Sequence, residues 1–306
     1  FGLLLVLGAL WLVGCAPAPY PVTSRTPVLD VTPTAVPPFT GYTGELAFVA
    51  NGDLYARKDF NTHADGSSVT LLAYGPQYEG MPAWSPDGKY IAFVSFHDLS
   101  KAVNLTQHIA QDHAPAWSPD GTRIAFVSNR DGAWGIFVMP ILITEDQLVA
   151  PAMRPIRLTY NIRYDGHPAW SPDSTRIAYT SDRGYRWEIM VTLPNGSDQM
   201  PFPGLSHLGS TIHPAWSPDG LRLAFASNND GNWQIYVVGF DGSEPARVTS
   251  HPALDCLPSW TPDGEWITFV SNRDANWDIY VVNVDGSALY RLTDWPGVEI
   301  SPAWQP

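Results

Sequence analysis

PAWSPDGKYIAFVS, residues 82–95, returns with few changes at four further places in this chain of 306 residues. The later copies lie about 44 residues apart, and a shortened copy, PAWQP, stands at the end of the sequence. Such a period is typical of propellers, in which each repeat forms one four-stranded blade. The other full copies span 115–128, 168–181, 214–227 and 258–271, and the repeated tryptophans are Trp84, Trp117, Trp170, Trp216, Trp260 and Trp304.

The Ser-Pro-Asp-Gly part of each copy predicts a turn between two strands. Proline at its second position presets φ, and glycine at its fourth accepts a left-handed backbone. Ser174 stands where the other copies have this glycine, and it should cost about 1 kcal/mol if it keeps the glycine conformation. The alternating IAFVS-type segment predicts the next strand, and polar SNRDG-type loops lead to further strands such as 136–140 and 279–284. Each repeat therefore supplies four strands, which we letter a to d.

The first and last repeats are incomplete in a complementary way. Residues 44–60 fit strands b and c, 69–74 fit strand d, and 300–304 fit a strand a with nothing after it. Pairing of the two ends would complete one blade and remove exposed sheet edges that favour aggregation. The sequence therefore predicts an all-β fold. It is a six-bladed β-propeller of four-stranded antiparallel blades, closed by pairing of its N- and C-terminal segments.

Two repeats depart from the common length. The interval from Trp84 to Trp117 is 33 residues, about 11 fewer than the common 44. We expect residues 96–100 to make a short, irregular crossing in that blade in place of a regular strand c. The third blade carries an insertion over 141–154, between strands c and d.

Two segments precede the propeller. Residues 1–15 hold an apolar run that is too short to span a membrane and fits a secretory signal. The run ends in Leu-Val-Gly-Cys, which resembles the lipobox of bacterial lipoproteins and implies lipidation of Cys15. The alternative is a plain signal peptide with an incidental cysteine. Residues 16–43 are rich in Pro and Thr and predict a disordered stalk, and the propeller domain follows over 44–306.

Composition narrows the range of functions. A net charge of −13 argues against nucleic acid or anionic lipid as the ligand, because both require a basic surface. Cys256 is the one cysteine besides Cys15, so the propeller has no intrachain disulfide framework. The sequence contains no G-x-S-x-G elbow, H-E-x-x-H pair, C-x-x-C pair or P-loop. We therefore expect no catalytic machinery of these classes, and contact with a membrane through the lipid anchor only.

The repeat as a whole resembles that of a known family. PAWSPDG-x-x-IAFVS followed by SNRDG-x-W-x-IY is similar to the repeat of TolB-like propellers, which also occurs in propeller domains of prolyl-oligopeptidase-type peptidases. The resemblance covers 44–306 and implies a WD40-like propeller with a protein-binding role at the bacterial cell envelope. In the translocation protein of that family an α/β domain precedes the propeller. Here the predicted anchor and stalk stand in its place.

One position of the repeat is acidic in five of six copies, and we call it the acidic register. The residues three positions before each proline are Glu79, Asp112, Asp165, Thr211, Asp255 and Glu299. Because strand a lines the channel of a propeller, these side chains predict a ring of carboxylates at the channel rim. Such a ring would attract a cation such as Ca²⁺, or the Lys and Arg side chains of a partner. The alternative is that each carboxylate accepts hydrogen bonds from a nearby serine or backbone turn.

Histidines and tryptophans also recur near the predicted channel. His113, His167 and His213 precede three of the prolines, and three imidazoles at one rim can bind a metal. Ordinary packing near tryptophan is the alternative. One tryptophan after the polar loop of four blades predicts either an aromatic platform for a peptide or sugar, or packing between blades. These residues are Trp134, Trp187, Trp233 and Trp277. We expect Arg130 and Arg273 in the same loops to pair with carboxylates of the next blade.

The sequence thus predicts a membrane-anchored, non-catalytic propeller that binds a protein partner, in preference to a glycan, at the bacterial cell envelope. We expect the protein to be exported, to face the periplasm or the cell exterior, to be a monomer and to need no cofactor. The expected partner segment is basic. The alternative is a propeller enzyme of the lactonase, lyase or esterase type, with Ca²⁺ bound in the channel.

Overall fold

A computed structural model of the chain describes residues 2–7, 44–58, 69–75, 78–96, 102–144, 147–149 and 153–306. Within these ranges the regular secondary structure consists of strands, and no helix is long and apolar enough to cross a membrane. The predictions made for Cys15 and for the stalk over 16–43 lie outside the described residues.

Five sheets are antiparallel blades of four strands in the order a, b, c, d. We number the sheets by the position of their strand b in the chain. Blade 1, which joins the two ends of the chain, contains β26 (Glu299–Trp304), β2 (Leu46–Ala50), β3 (Asp53–Arg57) and β4 (Val69–Ala73). Blade 3 contains β8 (Asp112–Trp117), β9 (Arg123–Ser128), β10 (Gly135–Pro140) and β13 (Ile156–Arg157), and blade 4 contains β14 (Asp165–Trp170), β15 (Ile177–Asp182), β16 (Trp187–Thr192) and β17 (Met200–Pro201). Blade 5 contains β18 (Thr211–Trp216), β19 (Arg222–Ser227), β20 (Gln234–Gly239) and β21 (Ala246–Arg247), and blade 6 contains β22 (Asp255–Trp260), β23 (Trp266–Ser271), β24 (Asp278–Asn283) and β25 (Leu289–Arg291).

The remaining four-stranded sheet, sheet 2, is built differently. Its β5 (Glu79–Trp84) and β6 (Tyr90–Ser95) are an ordinary antiparallel pair of strands a and b. The third position holds β1 (Gly2–Leu7), which runs parallel both to β6 and to the outer strand β7 (Ala102–Asn104). Six antiparallel blades were predicted, but the described residues form five antiparallel blades and this one mixed sheet. The crossing predicted over 96–100 lies outside the described residues except for Phe96.

The predicted closure of the ring is confirmed. Strands β26 and β2 pair antiparallel, with Leu46 opposite Trp304 and Ala50 opposite Glu299. The Gln305 backbone N–H donates to the Glu45 carbonyl at 2.8 Å, which extends this pairing by one residue. The predicted insertion also has structure of its own, because β11 (Leu142–Thr144) and β12 (Gln147–Val149) form a two-stranded hairpin.

Strand b of every sheet is buried on both faces, which explains its composition. One aromatic ring occupies the same position in each of these strands and is almost completely inaccessible to solvent. Small residues, such as Ala92 and Ala125, stand next to the ring and allow the neighbouring sheet to approach closely. The aromatic residues are Phe48, Phe93, Phe126, Tyr179, Phe225 and Phe269.

The tryptophan of the repeat joins neighbouring sheets. The indole N–H of Trp170 donates to the Ala116 carbonyl in blade 3 at 3.1 Å, and that of Trp260 donates to the Ala215 carbonyl in blade 5 at 3.0 Å. Trp84 makes the same bond to the Ala303 carbonyl at 3.0 Å, across the point of closure. In these three copies tryptophan combines a large apolar surface with a donor that reaches the neighbouring sheet.

The turn after the tryptophan forms as predicted, also in the copy where Ser174 replaces the glycine. Gly88 and Gly264 adopt positive φ angles of 67° and 71°, and Ser174 keeps the same conformation with a φ of 59°. The Ser174 hydroxyl accepts a hydrogen bond from the Asp120 backbone N–H of blade 3 at 3.0 Å. This contact between blades offsets part of the conformational cost of a non-glycine residue.

Candidate binding site at the propeller channel

Each strand a bends at the residue before its proline. This residue has a positive φ in all six copies, between 49° and 57°, and the pairing of strands a and b shifts register there. The six bulged residues are Met81, Ala114, His167, His213, Leu257 and Ser301. Together with the prolines that follow them they line a single central cavity of about 190 Å³. Sheet 2 therefore contributes to the channel wall in the same way as the five blades.

Two of the bulged residues bring imidazoles to the channel wall. The ring centroids of His167 and His213 lie 4.4 Å apart with an interplanar angle of 76°. Among the described residues, no hydrogen-bond partner is found for either ring nitrogen of His167 or for Nδ1 of His213. Burial lowers the pKa of His167 to about 4, and burial together with the neighbouring imidazole lowers the pKa of His213 well below its usual value. Both rings are therefore neutral at physiological pH, and each can donate one hydrogen bond and accept another.

An aromatic cluster continues from these imidazoles into the gap between blades 3 and 4. The Tyr164 ring lies 6.5 Å from His167, 5.7 Å from Trp187 and 6.2 Å from His113. Gly166 makes room for it, because a Cβ at that position would overlap the Tyr164 hydroxyl. Burial raises the pKa of Tyr164, and among the described residues its hydroxyl has no hydrogen-bond partner.

The three histidines do not assemble into a metal site. His113 packs against Trp134, with ring centroids 4.9 Å apart, rather than joining the other two imidazoles. In the part of the chain that the structure describes, no three His, Cys, Asp or Glu side chains converge as metal ligands. The alternative of packing near tryptophan therefore describes His113.

The acidic register is buried, so the predicted orientation toward the channel rim is wrong. Glu79, Asp112, Asp165, Asp255 and Glu299 are all essentially inaccessible to solvent. The bulge lies between these residues and the proline, and it is the bulged residue that faces the cavity. A ligand-binding role for the five carboxylates is untested and stays a prediction.

Asp112 and Asp255 are neutralised within their own blades. Asp112 accepts a hydrogen bond from Arg130 at 2.9 Å, and Asp255 accepts two from Arg273 at 3.1 and 3.0 Å. Arg130 and Arg273 therefore pair with their own blade, and the prediction that they reach the next blade is wrong. The reason is that strand b returns to the start of strand a, so its following loop lies beside that carboxylate.

Asp165 is held by uncharged donors. The Ser181 hydroxyl donates to it at 2.5 Å, and the Asn161 side-chain amide donates at 3.2 Å. Ser181 stands opposite Asp165 on strand b. The alternative prediction, that the acidic register accepts local hydrogen bonds, therefore describes Asp165, Asp112 and Asp255.

The two glutamates of the register carry raised pKa values. Burial, with a smaller contribution from Asp53, raises the pKa of Glu79 to about 8. Burial and the nearby Asp278 raise the pKa of Glu299 to about 9, while Arg291 forms an ion pair with Asp278 at 2.8 Å. Both glutamates are therefore largely protonated at neutral pH and contribute little negative potential to the channel.

The four tryptophans of the polar loops are half-buried between neighbouring blades. The carbonyl oxygen of Trp233 accepts the Asp255 N–H at 2.9 Å, and that of Trp277 accepts the Glu299 N–H at 2.7 Å. The corresponding contact of Trp134 is with the Asp165 N–H at 3.4 Å. Trp134, Trp187, Trp233 and Trp277 therefore pack between blades, and a binding role for their exposed parts is untested and stays a prediction.

Exposed apolar side chains occur instead in the loops around the start of strands a, and the sequence prediction missed them. The loops that join d to a and b to c share this face of the propeller, because strands a start and strands b end there. The exposed fractions are 100% for Ile109, 72% for Tyr160, 89% for Ile162 and 103% for Tyr185. The loops of Ile162 and Tyr185 are in contact, since the Asn161 amide donates to the Asp182 carbonyl at 2.8 Å. We call this set the apolar loop surface.

Comparison with known proteins agrees with this architecture. The family model described as "TolB beta propeller domain" matches residues 41–202 and 205–306. TolB from Acinetobacter baumannii is 21% identical and superposes with a TM-score of 0.67, covering 86% of this chain and 67% of that one. The TolB-type protein of Agrobacterium tumefaciens is also 21% identical, with a TM-score of 0.65 and coverage of 83% and 90%.

Enzymes share the fold at lower similarity. A puromycin-hydrolyzing peptidase of Mycobacterium tuberculosis is 16% identical with a TM-score of 0.53, and it covers 89% of this chain and 47% of that one. At such identities the likeness shows the fold alone. Comparison with curated proteins finds no significant match.

Proposed function

Because the chain belongs to the TolB β-propeller domain family, we propose that it is a non-catalytic binding protein of the bacterial cell envelope. It docks a segment of a partner protein on the apolar loop surface and over the mouth of the channel. The chain is exported, anchored through lipid on Cys15 and monomeric. Sheet 2 counts as the sixth blade of its ring.

The observation that carries this proposal is the position of the apolar loop surface. Ile109, Tyr160, Ile162 and Tyr185 stand in solvent on neighbouring loops of sheet 2 and blades 3 and 4. The same sector of the channel wall holds the neutral imidazoles of His167 and His213. Exposed aromatic and aliphatic side chains beside polar groups are typical of protein-binding surfaces.

The charge of the chain adds to the description of the partner. A net charge of −13 attracts basic segments over distances of about 8 Å at physiological salt. We therefore expect the partner segment to combine apolar side chains with Lys or Arg residues. The acidic register does not supply this attraction, since its members are buried and are paired, hydrogen-bonded or protonated.

The proposal is tested by quantitative affinity capture from a bacterial envelope extract. The full chain is compared with the double variant Ile162→Asp/Tyr185→Ala. The control is Leu221→Asp, which changes a 67% exposed side chain in a turn between strands a and b, on the opposite face. We expect one protein that the unmodified chain and the control enrich equally and that the double variant enriches at least tenfold less. If every captured protein binds the three chains alike, the proposed surface is wrong.

A further inference from the structure

His167 and His213 bring a pair of imidazoles to the central cavity from neighbouring blades. Their ring centroids are only 4.4 Å apart. Among the described residues no hydrogen-bond partner is found for either ring nitrogen of His167 or for Nδ1 of His213, and His213 is 4% exposed. Buried polar atoms without hydrogen bonds are costly, and one ion bonded to both rings would remove that cost.

A third donor lines the same cavity. Met81 is the bulged residue of sheet 2, and its φ of 52° matches the 51° of His167 and the 55° of His213. Ala114 lies between Met81 and His167 around the ring, and its single methyl group leaves space to its neighbours. Met81 packs against the cluster that contains Ala114 and Tyr164, and the Tyr164 ring lies 6.5 Å from His167. The thioether and the imidazole of His167 therefore approach one cluster from two sides.

The rest of the cavity wall supplies no charge. It consists of Ala114, Leu257, Ser301 and six prolines, while the carboxylates of the acidic register are buried within the blades. A divalent ion would keep its charge uncompensated in this apolar cavity, which is strongly unfavourable. Calcium and magnesium also require several oxygen ligands. Imidazole and thioether are soft, uncharged donors that suit Cu(I), which carries a single charge and is stable with two or three ligands.

We propose that His167, His213 and Met81 form a binding site for one Cu(I) ion in the propeller channel. Each imidazole binds the ion through one ring nitrogen, and the thioether is the third ligand. The rings already lie side by side, so rotation about their side-chain bonds is enough to turn the nitrogens toward the ion. The site lies on the cavity wall, so it is independent of the apolar loop surface and of the partner that docks there.

The test is an anaerobic titration of the full chain with Cu(I), in competition with the chromophoric chelator bicinchoninate. A Cys15→Ser background removes a thiol that would itself bind copper. We expect one Cu(I) ion per chain. His167→Phe and His213→Phe keep a ring of similar size without its nitrogens, and each should weaken Cu(I) binding at least a hundredfold. Met81→Leu keeps the side-chain volume without the sulfur and should weaken binding at least tenfold.

Two control variants remove donors outside the site. His113→Phe removes an imidazole that packs against Trp134, and Cys256→Ala removes a buried thiol. Both should keep the Cu(I) affinity of the Cys15→Ser chain. Equal weakening by His113→Phe and His167→Phe, or loss of binding in Cys256→Ala, would overturn the proposal. A folded Cys15→Ser chain that binds no Cu(I) would overturn it as well.

A spectroscopic measurement covers the case in which the histidine variants do not fold, because it needs only the Cys15→Ser chain. X-ray absorption of the copper-loaded chain should show two nitrogen ligands and one sulfur ligand, and any other ligand set would contradict the proposed site. The same chain should bind Zn²⁺ at least tenfold more weakly than Cu(I). Equal or tighter binding of Zn²⁺ would show that the site does not select a soft monovalent ion.

Discussion

At the scale of single residues, the acidic register is explained by what stands beside each carboxylate. Asp112 and Asp255 belong to repeats that read SNRD, and the arginine of that loop forms the ion pair. Thr211 takes the acidic position in the repeat that reads SNND, where asparagine replaces the arginine. In these three copies the charge and its partner thus change together. This signal in the sequence could have identified a structural role before any coordinates were known.

The two glutamates predict a loss of stability with rising pH. Their pKa values in the folded chain are about 8 for Glu79 and about 9 for Glu299, above the ordinary value of 4.5. The folded state therefore binds more protons than the unfolded state at neutral pH, so the free energy of unfolding falls as pH rises, by up to about 1.4 kcal/mol per pH unit for each group. The stability that the two protonated carboxyl groups contribute is fully present below pH 4.5, and it is lost as the pH rises through their pKa values in the folded chain.

Chemical denaturation of the Glu299→Gln variant between pH 7 and 8.5 checks this expectation. Glutamine cannot ionise, so the variant should lose less stability over this range than the unmodified chain. Glu244→Gln removes a carboxylate that is mostly in solvent and should keep the slope of the unmodified chain. Parallel slopes for all three proteins would show that Glu299 is already ionised in the folded state.

At the scale of strands, the repeat predicted turns, alternation and the joining role of tryptophan, but not the bend in strand a. The residue before a proline is normally extended, and Met81, Leu257 and Ser301 have no sequence feature that announces a positive φ. The bend decides which residue faces the channel. It places His167 and His213 on the cavity wall and turns the residues ahead of them into the blade. Local rules could not supply this, because they predict an extended backbone for the residue before a proline.

The indole bonds between blades give a prediction with a control inside the same chain. Trp170→Phe removes the donor to the Ala116 carbonyl, whereas Trp117 Nε1 has no partner among the described residues. Both tryptophans are equally buried, so Trp117→Phe measures the loss of packing alone. We expect Trp170→Phe to cost about 1 kcal/mol more in the free energy of unfolding, measured in urea. Equal losses would mean that the bond does not join the blades.

At the scale of the whole molecule, the repeat count and the complementary ends predicted a closed ring, and its closure is confirmed. The third strand of sheet 2 was not predicted, because periodicity within a repeat cannot show that a distant segment will fill a missing strand. The apolar loop surface was missed for a related reason. Ile109, Ile162 and Tyr185 lie in irregular loops, and only the ring brings these loops onto one face.

Closure is the claim on which the channel and the apolar loop surface depend, and a disulfide tests it directly. Ala47 and Ala303 stand opposite each other on β2 and β26. In a Cys15→Ser background, the pair Ala47→Cys/Ala303→Cys should oxidise spontaneously, should be identified by peptide mapping, and should raise the free energy of unfolding by several kcal/mol, since it closes a very long loop. The control pair Ala47→Cys/Ala215→Cys uses the matching position of strand a in blade 5 and should stay reduced. A 47/303 pair that stays reduced, or that links no faster than the control, would contradict the closed ring.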